Sequence, residues 1–428
     1  MNEDFLQYVW EFQLFNHRQL NSTKGDAVEI IHPGTIQKNA GPDFFNAQVE
    51  IDNIKWAGDV EIHLKSSDWM KHNHQKDPAY NKVILHVVWE EDQSIYRREG
   101  SLIPTLELRG RVHKSILDKY LELIKSRTWI PCEAHIREVP KIYKRQLMDQ
   151  LIVERLQKKS NRIKQILELN KNDWEATLYQ LLAKYFGFKV NAVPFELLAN
   201  ALPYKIIRRY QRNRTQVEAL LFGQAGFLNK TLKGSYPLLL QKEYKFLSNK
   251  HQLKPIDLSI WKFMRMRPSN FPTIRLAQFA SLLSMHSSVF QKILESKDLD
   301  RLKALFDIST HEYWQAHYRF DVPAGKMQQK DLGSSSIEIL IINVILPMLY
   351  AYAELHGERR SEEMVIDYLK KIPKEGNNSV RKWSLLNMPL ANACDSQALL
   401  ELKQSRCDLK KCLTCTIGNY LLNERNHD

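Results

Sequence analysis

GPDFFNAQVEIDNIKWAGDVEIHLKSSDWMKHNHQKD, residues 41–77, carries the alternation that decides the fold of the first part of the chain. FNAQVEI and IKWAGDVEIHLK each read as a strand, because apolar and polar side chains alternate with the period of two that a pleated strand imposes. Asp52-Asn53 between them is a turn signal, since both residue types tolerate left-handed backbone. Along the second strand Val60, Ile62 and Leu64 fall on one face and suit a core, while Glu61, His63 and Lys65 fall on the other. An acid, an imidazole and an ammonium on one strand face are a poor packing surface and a good place for chemistry.

Working outward, EDFLQYVWEFQLF (residues 3–15) places Phe5, Tyr8, Val9 and Phe12 at helical spacing behind an acidic first turn. VEIIHPG runs into a Pro-Gly turn as a further strand, and NKVILHVVWEE has the β-branched density of a central strand. IPTLELRGRV reads as the last strand, so the predicted order is helix, three strands, polar connector, strand, strand. From about Arg111 the period becomes helical, and the Trp129-Ile130-Pro131-Cys132 segment breaks the first helix of that kind. The expected class is α+β, with residues 1–135 a mixed α/β domain around a central sheet and residues 136–428 a helical domain ending in a cysteine cluster. Within the latter, KIYKRQLMDQLIVERLQKKSNRIKQILEL predicts a long basic helix, and RRYQRNRTQVEALLFG, PTIRLAQFASLLSM and SEEMVIDYLKKI continue the pattern. No repeat of solenoid length is visible.

A chain of 428 residues, 43% hydrophobic, can bury ample core. The longest apolar run, Ile337–Tyr352, is interrupted by Glu338 and Asn343 and is shorter than the roughly 20 residues of a membrane span, so it predicts a buried helix and no membrane partner. The opening Met-Asn-Glu-Asp lacks a basic start and an apolar stretch, which points to the cytoplasm. An odd count of five cysteines also fits a reducing compartment better than a disulfide framework. The net charge of +13 is uneven: residues 1–140 hold 17 Lys+Arg against 21 Asp+Glu, leaving 45 against 28 beyond. A basic excess confined to the helical part predicts a surface for polyanions, nucleic acid foremost.

Hydrolysis of a phosphodiester needs carboxylates to hold a hard divalent cation and a base or cation beside the attacking water. Asp43 and Glu61 are the candidate ligands of Mg²⁺ or Mn²⁺, and His63 and Lys65 the candidate catalytic partners. His72-x-His74 with Asp77 offers a second metal site, because alternate histidines on an extended segment can reach one Zn²⁺ or Mn²⁺. His86, inside an apolar strand, reads as a core histidine, and Ser66-Ser67-Asp68-Trp69 as a strand end with a helix cap.

Pro42-Asp43 at the start of one strand, with Glu61 on the next, resembles the PD-(D/E)xK nuclease superfamily, and the order of elements is similar. That resemblance implies a restriction-endonuclease-like sheet with Asp43 and Glu61 on the metal. The chain departs from the motif, which puts lysine two residues after the acid: here His63 stands there, and Lys65 follows two residues later. GPDFFNAQVEI, WAGDVEIHLKSSDW, HNHQKDPAYNKVILHVV, RPSNFPTIRLAQFA and CLTCTIGNYLL also look like a bacterial family of unknown function typical of Bacteroidota, a similarity that implies no activity.

Cys407-x4-Cys412-x2-Cys415 has the close spacing that a Zn²⁺ site or an iron–sulfur cluster requires. Cys394 is the fourth ligand nearest in sequence, and Cys132 could return in space. Lys158, Lys159 and Arg162 on the long helix, with Arg208, Arg209 and Arg212 around Tyr210, are the candidates for binding phosphates. No Gly-rich phosphate loop, dinucleotide fingerprint or nucleophile elbow is present, which argues against an NTPase, a dehydrogenase or a serine hydrolase. The expectations that survive are a metal-dependent nuclease, a non-catalytic nucleic-acid-binding or scaffold protein, and a metal-dependent hydrolase of a small molecule.

Overall fold

Strands β3 (Phe44–Ile51) and β4 (Ile54–Lys65) form the predicted antiparallel hairpin. Asp52 and Asn53 join them with φ of 48° and 63°, the paired left-handed residues whose twist matches that of the flanking strands. The computed structural model describes residues 1–37 and 41–423. Around the hairpin, β1 (Val28–His32) and the two-residue β2 (Thr35–Ile36) both pair with β3. On the other side β5 (Val83–Glu90) runs parallel to β4, and β6 (Thr105–Glu107) parallel to β5, giving the order β1-β3-β4-β5-β6. Only three residues of IPTLELRGRV are in the sheet, and Gly110 at φ 78° then turns the chain away.

Parallel neighbours cannot be joined by a tight turn and need a crossover. Residues between β4 and β5 supply one from a short helix α2 (Asp68–Lys71) and two 3-10 turns, His74–Lys76 and Pro78–Lys82. Helices α1 (Glu3–Glu11) and α3 (Lys114–Lys125) pack with one face of the sheet, where Phe5 stacks on Tyr120 at 4.5 Å between centroids and is buried with Val60, Ile62 and Leu85. The opposite face is roofed by a smaller apolar cluster of Trp69, Tyr80, Val83, Ile95 and Ile103. Both faces of β4 are therefore inside the fold: Val60 and Ile62 are 0% and 1% exposed, and Glu61 and His63 only 5% and 1%.

The chain divides into two units. The first comprises Met1–Met148, Arg381–Pro389 and the segment from Leu400 onward; the second comprises Asp149–Val380 and Leu390–Leu399. The division thus falls inside helix α4 (Lys141–Leu169) and not at residue 135, and the cysteine-bearing tail belongs with the sheet. The expected boundary is displaced because helical period says how a segment coils and nothing about which core it joins. Cys412 and Leu422 sit in the core shared by α1, α3 and the sheet.

The second unit is almost wholly helical. RRYQRNRTQVEALLFG is two helices, Tyr204–Tyr210 and Arg214–Gln224, because the Asn213 side chain accepts from the Gln216 amide at 3.2 Å and caps a new start. Ser334–His356 is one helix long and apolar enough to cross a membrane, and 67% of its apolar window is buried in the fold. Arg275 is a brace within this unit: its guanidinium donates to Gln278, Asn270 and Ser336 and lies 4.2 Å from the Phe188 ring centre.

Gly58 allows β4 to pass the start of β5. A Cβ there would sit 2.5 Å from both the Lys82 carbonyl oxygen and the Ile84 Cγ2. Gly58→Ala is expected to lower stability by about 1–3 kcal/mol. Gly325→Ala, which meets nothing within 4 Å, should stay within about 0.5 kcal/mol of the parent, both read from urea unfolding midpoints.

Candidate metal centre

The polar side of β4 and the connector above it bring Asp43, Glu61, His63, His72 and His74 into one site. Asp43 and Glu61 are locked across the hairpin. The Asp43 amide donates to Glu61 Oε2 at 3.1 Å, the Ile62 amide donates to Asp43 Oδ2 at 3.0 Å, and Gln7 of α1 donates to Asp43 Oδ1 at 2.9 Å. Just beyond Asp43 the β3–β4 register slips between Phe44 and Ala47, with Asn46 at φ 56°, a bulge that turns the strand end toward the site.

Three imidazoles complete the cluster. One ligand nitrogen from each of His63, His72 and His74 lies within 4.8 Å of the others, the single such group of metal-ligand side chains among the described residues. His63 Nε2 is 3.1 Å from His72 Nδ1 and 3.5 Å from Glu61 Oε1, while His74 Nε2 is 3.3 Å from that same oxygen. Metal–nitrogen bonds of about 2.0–2.1 Å put neighbouring ligand atoms of one coordination shell roughly 3 Å apart; three pairs here lie at 3.1, 3.3 and 3.5 Å and the imidazole nitrogens all within 4.8 Å. His74 Nε2 is buried with no hydrogen-bond partner despite its approach to Glu61. A nitrogen so placed is an orphan without a cation and a ligand with one.

Further side chains support the ring positions. His63 Nδ1 is 2.8 Å from Nε2 of the fully buried His86, so His86 fixes which His63 nitrogen faces the cluster. Tyr80 stacks on His74 with centroids 3.8 Å apart, and Trp69 meets both His74 and His86 edge-on. Glu3 of α1 lies within electrostatic reach of His72 and His74. His72 is exposed, so the cluster is closed at His63 and open to solvent at His72.

Burial sets the protonation. It raises Asp43, which also faces Glu61, to about 7, and raises Glu61 to about 8. Burial, with the neighbouring His74 and His72, lowers His63 to about 3, and burial lowers His74 and His86 as well. Neutral imidazoles beside carboxyls that hold protons are the state a divalent cation displaces, since ligands bind it deprotonated.

Five of the seven residues predicted for the N-terminal chemistry thus converge, and the side chains expected from sequence as two separate groups form one cluster. Lys65 stands apart at the exposed end of β4, its amide donating to Asp68 at 3.1 Å. Asp77 accepts from the Ala79 amide at 2.9 Å as the cap of the Pro78–Lys82 turn, within electrostatic reach of His74. Asp68 likewise serves backbone, while Ser66 is wholly buried and bonds Asp92 and the Gln93 carbonyl. Glu3, Gln7 and the bridging role of His86 are not legible in the sequence, because nothing local marks a residue that reaches a site through the tertiary fold.

Elsewhere, Cys132, Cys407, Cys412 and Cys415 belong to the first unit and Cys394 to the second, on helix Ala393–Leu402. Lys159 donates to Asn343 Oδ1 at 3.0 Å, and Arg162 lies 3.8 Å from Glu196, so both are engaged within the helical unit; Lys158 is exposed. Arg208, Arg209 and Arg212 are exposed and line one groove with Tyr210 and Gln216.

Comparison with known proteins gives one family. Its model, described as protein of unknown function (DUF2851), matches residues 3–378, which includes every member of the histidine–carboxylate cluster. No curated protein and no solved structure matches the chain.

The raised carboxyls carry a stability signature. Folded Asp43 and Glu61 keep protons that the unfolded chain has already released, so stability falls with rising pH until they titrate at about 7 and about 8. The lowered His63 acts in the opposite sense, but only below its ordinary value of 6.5. In chelator, the thermal midpoint is expected to drop between pH 6.5 and about 8, and Asp43→Asn/Glu61→Gln should flatten that drop in scanning fluorimetry.

Proposed function

Because the chain belongs to the DUF2851 family, whose function is unknown, we propose its activity from the centre on β4: a metal-dependent hydrolase that cleaves phosphodiester bonds in nucleic acid. The observation that carries this reading is the convergence of His63, His72 and His74 within 4.8 Å beside the hydrogen-bonded Asp43–Glu61 pair. Three imidazoles with carboxylates suit Mn²⁺ or Zn²⁺ better than Mg²⁺, which prefers an all-oxygen shell. Such an ion would polarise the phosphoryl oxygen and acidify a bound water.

The chain's own groups fill the remaining roles. Glu61, His63, His72 and His74 would hold the ion, with His86 fixing the His63 ring. Asp43, poised at about 7 and on the neighbouring strand, accepts the proton that the attacking water loses as its oxygen bonds phosphorus and the bond to the leaving oxygen breaks. The open side at His72 is the side from which a polymeric substrate gains access. In this reading His63 occupies the place that lysine holds in the PD-(D/E)xK pattern, so lysine chemistry is replaced by an extra metal ligand.

A specific observation also favours a nucleic-acid surface on the helical unit, namely the groove shared by Arg208, Arg209, Arg212 and Tyr210. Guanidinium groups would neutralise phosphates there, beside a Tyr210 whose hydroxyl is 2.8 Å from His251 Nε2.

Incubation of the protein with single- and double-stranded DNA and RNA should show cleavage with Mn²⁺ or Zn²⁺, none in chelator and none for Glu61→Ala. His86→Ala should lose roughly 10- to 100-fold through metal affinity or turnover. Nucleic acid left intact with every metal would overturn the hydrolase reading. Separately, Arg208→Glu/Arg212→Glu is expected to weaken binding across all sequences and to make the slope of log affinity against log salt shallower by about one for each phosphate no longer neutralised. Unchanged binding would remove this groove from the interface.

A further inference from the structure

The polar face of β4 does not end at Glu61. Asp59 precedes it by two residues on the same face, about 7 Å along the strand, and Ala57 continues the alternation one step further back. Gln48 of β3 pairs with Ala57 and completes this floor. A cleft of about 890 Å³ opens over it, walled by Phe45 and Asn46 of the β3 bulge on one side and by Lys82, at the start of β5, on the other. That volume lies within the range that small ligands occupy. The Pro78–Lys82 turn borders both places, since its Tyr80 stacks on His74 while its Lys82 lines the cleft. Cleft and histidine–carboxylate cluster are therefore neighbours on one strand face.

The groups around the cleft suit a flat polar ligand. Phe45 contributes a half-buried aromatic ring. Asp59 is only 8% exposed, yet it accepts from a single backbone amide, that of Asn46, at 3.3 Å to Oδ1. Its Oδ2 accepts nothing among the described residues, with Lys82 in electrostatic reach. An enclosed carboxylate with a spare acceptor is costly unless a further donor joins it. The side chains of Asn46, Gln48 and Lys82 are exposed at the rim. Together these are the groups that read a nucleobase: a ring to stack on it, an acid to accept from an exocyclic amine, amides for its other edge and an ammonium for the phosphate. A base enters such a cleft only when it is unstacked, which a paired duplex does not allow without opening.

Resting on the hydrolase reading of the β4 centre, we propose that its substrate is single-stranded nucleic acid and that this cleft receives one unstacked nucleobase beside the scissile phosphate. Phe45 stacks on the base, Asp59 accepts from its exocyclic amine and Lys82 meets the adjoining phosphate. The roughly 7 Å along β4 between Asp59 and Glu61 keeps base and scissile phosphate within the reach of one nucleotide. The cleft lies wholly in the first unit, so it reads the strand independently of the arginine groove in the second.

The test measures binding of labelled oligo(dC), oligo(dT) and an abasic strand of the same length to the full chain in chelator, by fluorescence anisotropy. Oligo(dC) is expected to bind about tenfold tighter than the abasic strand, with oligo(dT), which lacks the amine, between them. Phe45→Ala should erase the gap between base-bearing and abasic strands. Because that variant can fail to fold, Ala57→Ile provides a second: it fills the floor at an exposed strand position where a β-branched residue is favoured, and should erase the same gap. Parallel reactions in Mn²⁺ should cut single strands faster than the duplex of the same sequence. Nucleic acid left intact with every metal, while the binding gap persists, overturns the hydrolase reading and the substrate claim with it but leaves the base site standing. Equal binding of base-bearing and abasic strands overturns the base site whether or not Mn²⁺ brings cleavage. Oligo(dT) bound as tightly as oligo(dC) overturns the Asp59 contact, and duplex cut as readily as single strand overturns the substrate claim.

Discussion

Two carboxylates buried against each other's strand are the constraint around which the first unit is organised. Asp43 accepts from the backbone of β4, and Glu61 accepts from the Asp43 amide at the start of β3, so each acid is held by the chain that carries the other. Burying either as an anion is costly unless a cation or several donors accompany it, and the donors here are too few for full ionisation. The protons that burial enforces are therefore the counterpart of the imidazoles alongside. Removing water from acids and bases at one place leaves a set of groups whose charge state is decided by what enters.

The connector between β4 and β5 converts that arrangement into a site. A parallel pair demands a long crossover, and this one contributes His72, His74 and Tyr80 as well as Trp69, which closes the space above His86. A topological necessity of the sheet thus becomes the delivery of two imidazoles and the aromatic walls around them. Asp77 and Asp68, acidic and nearby, are consumed by backbone: Asp77 caps the Pro78–Lys82 turn and Asp68 accepts from the Lys65 amide at the end of β4.

Much of this is legible in the sequence because it rests on periodicity. The hairpin, its Asp-Asn turn, the central strand at residues 83–90 and the long helix all follow from spacing alone, and so do five cluster residues. Spacing does not reveal that the polar face of β4 is interior, since alternation reports two faces and not what covers them. For that reason Lys65 looks equivalent to Glu61 and His63, although it extends past the roof into solvent. His72-x-His74 looks like a separate site because the crossover that folds it back onto β4 has no regular pattern. The division between units is displaced for a related reason: the tail is helical in period but completes a core made with the sheet.

That returning tail has a consequence for the order of events during synthesis. Cys412 and Leu422 fill the same core as Phe5 and Ile62, yet the entire second unit is translated between them. A nascent chain therefore exposes an incomplete apolar face on its first unit while the helices of the second are still emerging, and the loop to be closed is among the longest the chain could make. The half that carries the histidine–carboxylate cluster becomes whole only after the rest of the molecule exists, so a prematurely terminated chain carries that cluster on an unfinished scaffold.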